Sequence, residues 1–424
     1  MQIARTAAEL ARVLEQSRAG FEVKRVPAAA AAGEWSVIDG ALQHRSRGFF
    51  SVTGCRRRAS GQTDVLMYQP QGAVTGLITA RIGGEACYLL QARAEPGCLG
   101  EAQFGPTVQS TPANFMRLHG GAATPYVDAF IAHDPNLALL DDTTQLDLGL
   151  RYLFKTKRSI LAETTSPMPA QAGFVWASRG AVCEAVRESA FFNIDLRSIL
   201  SIAAWSDDDG DGALAPRSAE VRRSLAAPIR ADVLARLLAA TAAPRHAVDF
   251  VPLDAVDNWR STEWGWSERE PRQGFAVEFY ETKARFREKA SWVQPLVNSA
   301  TEGEVALACR ERGGRLEFLV RAVAEIGLTA GAALAPSFVR YPGASAEAPD
   351  WLQRPDWCAT TESDEGGRFY RDASRYRIVR VDDTPDVDAA AAWLSLSELK
   401  LVLRMSNLCT IQLRGVVSQL LGAV

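Results

Sequence analysis

The chain has 424 residues, of which 47% are apolar and 23% charged, and its formal net charge is −3. This is the composition of an ordinary globular protein and excludes a disordered or fibrous chain. So small a net charge gives no reason to expect a nucleic acid or an anionic membrane as partner, and no apolar run reaches the roughly 18 residues that span a bilayer.

The seven cysteines are scattered singly between Cys55 and Cys409, with no CxxC pair. An odd and dispersed set argues for reduced thiols and against a disulfide framework or a zinc site. The first ten residues, MQIARTAAEL, lack the apolar core of a signal peptide. We therefore expect a cytoplasmic protein.

The first part of the chain, residues 1–205, is predicted to be mostly strands between helical regions. Strands are indicated by alternating or continuous apolar runs bounded by turn signals such as Asp39-Gly40 and Gly83-Gly84. The predicted elements are a helix (1–19), a hairpin (35–52), strands (65–67, 73–82, 87–94 and 160–163), and a helix from Ser178, its cap, to about Glu188.

An acidic stretch with the sequence DDDGDG, Asp207 to Gly212, follows this part. Its residues fit positions 1, 3, 5 and 6 of a calcium-binding loop, but Ser218 stands where a bidentate glutamate is needed. A solvated acidic linker is therefore favoured over a calcium site. We predict a linker over residues 206–245, with a helix from Glu220 to Ala243 leading into the second part.

The chain repeats itself at two fixed offsets. At an offset of 230, Gly83-Gly84 and five positions from Leu89 to Gly97 recur in residues 313–327. At an offset of 217, Arg151, Arg158, Trp176, Ser178 and Arg197 recur as Arg368, Arg375, Trp393, Ser395 and Arg414. The second copy also has the clearer helix start, because Ser395 and Glu398 form a capping box. We infer two tandem repeats, residues 1–205 and 246–424.

Polar and basic side chains concentrate just after the strand at 87–94. This composition is typical of a binding site on a rigid support. At the offset of 230, the segment GPTVQ corresponds to residues 335–339 and the final histidine to Pro349, so the intact polar pocket is the one in the first repeat. The cluster comprises Thr107, Gln109, Asn114, Arg117 and His119.

Several motifs in both repeats resemble those of the NDP-hexose 2,3-dehydratases, which act in deoxysugar biosynthesis for natural products. In the first repeat they are FFSVTG (49–54), QPQGAVTGL (69–77), QARAEPG (91–97), GPTVQSTPANF (105–115) and RLHGG (117–121). In the second they are REKASWVQPL (287–296), GGRFY (366–370), RYRIV (375–379) and NLCTIQLR (407–414). Their order along the chain makes the resemblance specific.

The resemblance implies an α+β fold of two tandem Nudix-like domains, with mixed sheets flanked by helices, usually in a homodimer. The REXXEEXG signature of Nudix hydrolases is absent from the sequence, which argues against pyrophosphate hydrolysis. The implied reaction is loss of water across C2–C3 of an NDP-4-keto-6-deoxyhexose, with dTDP as the expected nucleotide. A base removes the C3 proton, the enolate charge rests on the C4 oxygen, and the C2 hydroxyl leaves.

No cofactor or metal is expected, because the ketone of the substrate itself accepts the electrons. A separate NAD(P)H-dependent ketoreductase is expected to trap the reactive diketo product. The chain departs from the family pattern at Gln71, where the family has glutamate. It also departs at Asp64-Val65, since only the second repeat keeps the W-x-Q-P motif, as Trp292 to Pro295.

His119 is the leading acid–base candidate, because imidazole titrates near neutrality and the second repeat lacks it. Its structural alternative is a hydrogen bond to the diphosphate or to a backbone carbonyl. Glu95 is a second catalytic candidate, although its recurrence as Glu325 favours a role in holding the turn before Gly97.

Other residues are expected to bind the substrate. Thr107, Gln109 and Asn114 suit the sugar hydroxyls or the enolate, unless they cap the turns at Pro106 and Pro112. Arg93 and Arg117 suit the diphosphate, unless they form surface ion pairs, and Trp292 with Gln294 suits a ligand wall. Arg151, Lys155, Lys157 and Arg158 are interpreted as a solvated face in preference to a second anion site, and Asp195 with Arg197 as a structural pair.

Two other functions stay open. Gln71 motivates a related enzyme with an altered reaction or sugar specificity. The loss of a different motif from each repeat motivates a non-catalytic nucleotide-sugar-binding protein.

Overall fold

The computed structural model describes residues 2–118, 120–132, 134–203, 219–285, 287, 289–382 and 387–422. The predicted acid–base residue His119 lies outside the described residues. So does the acidic stretch 207–212 together with Ser218, on which the calcium-loop hypothesis depends.

The helices of the described residues are short and their predicted caps are present. Ser178 accepts a hydrogen bond from the backbone N–H of Ala181 at 3.2 Å, and Ser395 with Glu398 forms the predicted capping box. The α-helices are α1 (Ala7–Arg18), α2 (Pro112–Phe115), α3 (Val127–Ile131), α4 (Arg179–Ala185), α5 (Ile194–Ile202), α6 (Ala219–Leu225), α7 (Ala231–Thr241), α8 (Leu396–Leu403) and α9 (Ile411–Ser418). Single 3₁₀ turns occupy Ala28–Ala31, Leu253–Ala255, Asp350–Gln353 and Gln419–Leu421.

Two helix predictions were wrong in detail. The predicted linker helix is two helices, α6 and α7, because Pro228 lies between them. Proline has no backbone N–H to donate, and it disfavours the helical conformation in the residue before it. The N-terminal helix begins only at Ala7, after Thr6 caps it, and Ile3 belongs to a strand.

The strands of the first part begin with hairpins whose turns need positive φ. Asp39 and Gly40 have φ of 52° and 79°, as a two-residue type I′ turn requires. These strands are β1 (Ile3–Ala4), β2 (Glu22–Arg25), β3 (Trp35–Ile38), β4 (Ala41–His44), β5 (Ser51–Arg57), β6 (Thr63–Tyr68), β7 (Ala73–Ile82), β8 (Glu85–Ala94), β9 (Ala102–Gly105), β10 (Val108–Ser110), β11 (Leu137–Leu146), β12 (Tyr152–Leu153), β13 (Thr156–Thr164) and β14 (Phe174–Ser178).

Twelve further strands lie between residues 248 and 395 of the described chain. They are β15 (Val248–Val251), β16 (Trp259–Thr262), β17 (Gly265–Glu268), β18 (Phe275–Lys283), β19 (Ser291–Ser299), β20 (Gly303–Arg312), β21 (Arg315–Val323), β22 (Ala333–Pro336), β23 (Phe338–Arg340), β24 (Asp356–Ser363), β25 (Ala373–Arg380) and β26 (Ala391–Ser395).

The strands form two large mixed sheets and two smaller ones, which are antiparallel except for the parallel pair β12–β6, so the fold is α+β. The first large sheet has the order β1-β14-β8-β7-β13-β11, with β9 on β8 and β10 on β7. The second has the order β22-β21-β20-β25-β24, with β23 on β20 and β26 on β21. The central pairing is the same in both, since β13 runs parallel to β7 and β25 runs parallel to β20.

The two smaller sheets exchange strands between the parts of the chain. The first has the order β12-β6-β5-β4-β3 and takes in β15 from beyond the linker; the second has the order β16-β17-β18-β19 and takes in β2 from the first part. The pairings Phe250 with Cys55, and Tyr280 with Arg25, lie in these exchanged strands. Strand pairing therefore crosses the linker in both directions.

One apolar core runs through both parts. Its buried members extend from Ala4 in β1 to Leu421 near the C-terminus. The helices α5 and α9 pack so closely that a Cβ at Gly415 would lie 2.5 Å from Cδ1 of Ile194. Among the described residues, no helix is long and apolar enough to cross a membrane.

Candidate active site

A cavity of about 330 Å³ lies between the first large sheet and the second small sheet. The ends of β7, β8 and β10 supply one wall, and β19 with the loop between β24 and β25 supplies the other. The hairpin β3–β4 lies at its entrance. The site is thus built from segments more than 200 residues apart in the chain.

Burial divides the cavity into an aromatic mouth and a charged interior. His44, Phe49 and Trp292 are half-buried and face the opening. Lys155 and Lys157 are buried deep in the wall with the carboxylates. The charged interior comprises Arg93, Glu95, Lys155, Lys157, Asp195 and Glu365, with Arg287 and Arg368 half-buried beside them.

Glu95 binds two arginines, one from each part of the chain. Its Oε1 lies 2.8 Å from Nη2 of Arg93 and 2.9 Å from Nη1 of Arg287. Burial by itself would raise the pKa of Glu95, but the two guanidinium groups outweigh burial and lower that pKa to about 2. Glu95 is therefore a stable carboxylate and a weak base at neutral pH.

A second charged cluster lies on the strands that follow. Oδ2 of Asp147 is 3.0 Å from Nζ of Lys155 and 3.1 Å from Nζ of Lys157, which also lies 2.8 Å from Oδ1 of Asp195. Although burial opposes it, the two ammonium groups hold the pKa of Asp147 well below its usual range. Burial likewise opposes ionisation of Lys157, but its two carboxylate partners raise the pKa of that lysine.

Backbone contacts fix the two walls to each other. The N–H of Gly97 donates to the carbonyl of Gly366 at 2.8 Å. The Oε2 of Glu365 accepts from the backbone N–H of Gly367 and of Arg368, which orients this loop toward the interior. Gln294 donates to the carbonyl of Gly367, so β19 is tied to the same loop.

Six of the predicted site residues line this one cavity. The Oε1 of Gln109 accepts a hydrogen bond from Nδ2 of Asn193 at 2.8 Å, which leaves the amide nitrogen of Gln109 for a ligand. Arg93 also donates to Oε1 of Gln91 at 2.6 Å. The six are Arg93, Glu95, Gln109, Asn114, Trp292 and Gln294.

Other predicted residues do not line it. The hydroxyl of Thr107 donates to the carbonyl of Leu89 and accepts from the N–H of Ile78, so its part in substrate binding stays a prediction that this geometry disfavours. Arg117 and Gln71 are exposed and outside the lining.

The interpretation of the basic run as a solvated face was wrong. Arg151, Lys155 and Lys157 are buried, and only Arg158 reaches the surface, where it pairs with Asp142. The expected pair of Asp195 with Arg197 was also wrong. Asp195 binds Lys157, whereas Arg197 binds Glu362.

Sequence reasoning missed several lining residues. One of them is His44, the histidine that lines the cavity among the residues that the structure describes. Its Nδ1 lies 2.8 Å from the hydroxyl oxygen of Ser46, and burial lowers the pKa of His44. Arg287 and Arg368 lie within REKASWVQPL and GGRFY, which were noted for resemblance alone, and Glu365 immediately precedes GGRFY. The available signal was the charge of these side chains within or beside motifs of the family.

The second large sheet has a corresponding region with different chemistry. Glu325 borders another cavity, of about 280 Å³, and its Oε2 accepts a hydrogen bond from the hydroxyl of Tyr341 at 2.9 Å. Burial raises the pKa of Glu325 to about 7. Where Glu95 has two arginines, Glu325 has a tyrosine.

The chain matches the model of the family described as NDP-hexose 2,3-dehydratase over residues 8–203 and 230–420. It is 31% identical to a dTDP-4-dehydro-6-deoxy-alpha-D-glucopyranose 2,3-dehydratase of Streptomyces violaceoruber, over 88% of this chain and 87% of that protein. A protein of the same description from Saccharopolyspora spinosa is 30% identical over 89% of this chain and 83% of that protein. The chain therefore belongs to the NDP-hexose 2,3-dehydratase family, as the motifs predicted.

One solved structure, a Nudix hydrolase from M. smegmatis named RenU, is similar over 30% of this chain and 79% of that chain, at 17% identity. The TM-score is 0.19, which is too low to support an argument about the fold.

Proposed function

We propose that the inter-sheet cavity removes water across C2–C3 of a dTDP-linked 4-keto-6-deoxyhexose, with 4-keto-6-deoxyglucose as the sugar. The observation that carries this is the convergence on one cavity of six predicted site residues, all of which lie within the motifs quoted for the resemblance. The family and the names of the two relatives support the same reaction.

The polarity of the cavity orients the substrate. Trp292, His44 and Phe49 at the mouth give the pyrimidine ring aromatic faces on which to stack. Arg287 and Lys289 also line the cavity and suit the diphosphate, because guanidinium and ammonium groups bind phosphate oxygens. The uncharged keto sugar then reaches the buried interior, where water is excluded.

The elimination proceeds by proton transfer and bond cleavage within the substrate. A base takes the C3 proton, and the electron pair moves to the C4 oxygen as an enolate. The C4 carbonyl re-forms as the C2–O bond breaks, and the hydroxyl leaves as water with a proton from an acid. The resulting C2–C3 enol becomes a 3,4-diketone, so the reaction is balanced without any redox partner.

The protein must supply a base, an acid and donors for the enolate. His119 remains the proposed acid–base residue. Leu118, which precedes it in the chain, lines the same cavity as His44. Glu95 stays in the proposed catalytic set, where its ion pairs favour holding Arg93 and Arg287 over accepting a proton. Gln109 and Asn114 are proposed to bind the sugar hydroxyls, and Thr107 to support the loop that carries them. Arg117, which lies outside the cavity lining, is proposed to bind the diphosphate.

The wider organisation is part of the proposal. The recurring sheet order and the offsets of 230 and 217 support a duplication of two Nudix-like units, with the linker at 206–245. Four further parts of the proposal rest on the sequence and its resemblance alone: the homodimer, the cytoplasmic location, a role in making a natural product such as an antibiotic, and the ketoreductase that consumes the diketone.

The test is incubation with dTDP-4-keto-6-deoxyglucose and o-phenylenediamine, which captures a vicinal diketone as a quinoxaline. We expect a product lighter than the substrate by one water before capture. His119→Ala is expected to lower the rate by about 10²-fold or more. Unchanged substrate at high enzyme concentration, with dTDP bound, contradicts the proposal and favours a non-catalytic binder; a different mass change favours an altered reaction.

A further inference from the structure

Lys155 is buried at the cavity, and the reaction described above gives it no role. It lies between β12 and β13, lines the cavity, and has a side chain only 1% exposed. The inference below rests on the proposed function, because it assigns Lys155 a role in that reaction.

The ammonium group of Lys155 has few partners for so buried a charge. Its Nζ lies 3.0 Å from Oδ2 of Asp147 and 3.7 Å from the centre of the Tyr152 ring. Within the part of the chain that the structure describes, Asp147 takes at most one of the three Nζ donors, and that contact is poorly aligned for a hydrogen bond. A buried donor without an acceptor is unfavourable, and an oxygen of a bound ligand would satisfy it.

The neighbouring lysine shows the contrast. Nζ of Lys157 donates to Oδ1 of Asp195 at 2.8 Å and also contacts Asp147. Its charge is therefore matched by two carboxylates, and it holds Asp147 and Asp195 in place. An ammonium group has three donors, so of the two lysines Lys155 has the larger number left for a ligand.

The corresponding region of the second large sheet lacks this cation. At the offset of 217, Lys155 corresponds to Asp372 and Lys157 to Ser374. Asp372 accepts hydrogen bonds from the backbone and hydroxyl of Ser299, and burial raises its pKa to about 6. A buried ammonium with available donors is thus specific to the cavity that binds the sugar in the proposed function.

We propose that Lys155 donates a hydrogen bond to the C4 carbonyl oxygen and carries the charge that balances the enolate. The C3 proton goes to the separate base, and the electron pair goes to the C4 oxygen beside Nζ. When the C2–O bond breaks, the pair returns to re-form the carbonyl. The protons of Lys155 stay on nitrogen throughout, so its function is electrostatic.

The charges around Lys155 set the pH range of this function. Burial is the main cause that lowers the pKa of Lys155, Arg368 and Lys157 add to it, and Asp147 and Glu365 oppose it; the resulting pKa is about 8. Tyr152 faces it as a neutral phenol, since burial raises the pKa of Tyr152 well above its usual value. The ammonium form acts in catalysis, so kcat is expected to fall as the pH rises through about 8.

The test compares Lys155→Met with Arg158→Met. Arg158 lies three residues further on, is half-exposed and is outside the cavity lining. Lys155→Met should fold, because Lys157 still pairs with Asp147. We expect it to lower kcat by about 10²- to 10³-fold and to abolish exchange of the C3 hydrogen in D₂O, with the Kd for dTDP unchanged. Arg158→Met should match the wild type in all three.

Two further measurements separate chemistry from structure. Lys155→Ala should be rescued by methylammonium in the buffer, whereas Lys155→Met should not, because its side chain fills the space. Lys155→Arg should keep part of the activity and lose the decline in kcat near pH 8. A Lys155→Met protein that turns over within a few-fold of the wild type overturns the inference alone. A wild-type protein that binds dTDP but releases no water overturns the proposed function and the inference with it.

Discussion

The carboxylate of Glu95 and the guanidinium of Arg287 form an ion pair 192 positions apart in the chain, with 2.9 Å between Oε1 and Nη1. This pair connects the end of β8 to the segment that leads into β19, and so connects the two walls of the cavity. Arg93, near the end of β8, completes the arrangement from two residues before Glu95. The charge of Glu95 is therefore as much part of the fold as of the site.

Glu95→Gln should destabilise the protein by about 3 kcal/mol, because it leaves two arginines without their buried carboxylate. The folded-state pKa is about 2 and the ordinary value is 4.5, so this stabilisation is present above about pH 4.5 and is lost as the pH falls toward 2. Urea denaturation measures it. Glu85→Gln, which removes a more exposed partner of Arg5, should change little; equal effects of the two substitutions would contradict the argument.

Glu325→Gln should also alter the pH dependence of stability, but here, unlike at Glu95, the wild-type group lowers the free energy of unfolding as the pH rises. The folded-state pKa of Glu325 is about 7 against an ordinary 4.5, so the unfolded chain loses its proton first and stability falls as the pH rises between these values. This group alone accounts for a fall of about 3 kcal/mol, which the glutamine variant should lack. Denaturation at about pH 5 and pH 8 tests this, with Glu311→Gln at an exposed position as the control that should retain the wild-type slope.

Gly97→Ala should destabilise the junction between the cavity walls. A Cβ at Gly97 would lie 2.0 Å from the carbonyl oxygen of Glu365 and 2.6 Å from that of Phe369, so the backbone must move apart. We expect a loss of about 3 kcal/mol and weaker dTDP binding, measured by thermal denaturation and calorimetry. Gly33→Ala adds its methyl group to open space and should be neutral or slightly stabilising; similar losses in both would show that packing at Gly97 is not responsible.

Trp292→Ala should weaken nucleotide binding more than it slows the chemical step. Stacking of a base on an aromatic side chain contributes about 1–3 kcal/mol, so the Kd for dTDP should rise by about one to two powers of ten while kcat changes little. Trp264 is half-buried, packs under Arg25 and is outside the cavity lining. Trp264→Ala is therefore the matched control, and an unchanged Kd in Trp292→Ala would place the base elsewhere.

Local patterns in the sequence were sufficient for much of the secondary structure. The turns at Asp39-Gly40 and Gly83-Gly84, the strand at 73–82 and the caps at Ser178 and Ser395 all depend on residues that are neighbours in the chain, and all were predicted. The motifs also identified the family, because their order and spacing survive in the sequence alone.

The tertiary structure decided which of the charged residues are buried and with what partners. Lys155 and Lys157 follow Arg151 in a run that is typical of a solvated face, yet Asp147 and Asp195 make their burial possible. Thr107 was predicted from its neighbours to bind sugar, but the strand carbonyl of Leu89 takes its hydroxyl. Pairing of this kind depends on which distant segments meet, and no local pattern encodes it.

The sequence by itself therefore determined the family, much of the local secondary structure and the polar motifs. Only the tertiary structure decided that β2 and β15 exchange between the small sheets and that the cavity is shared by both parts of the chain. The physical reason is that the free energy of burying a charge depends on its long-range partners, whereas turns and caps are governed by contacts within a few residues.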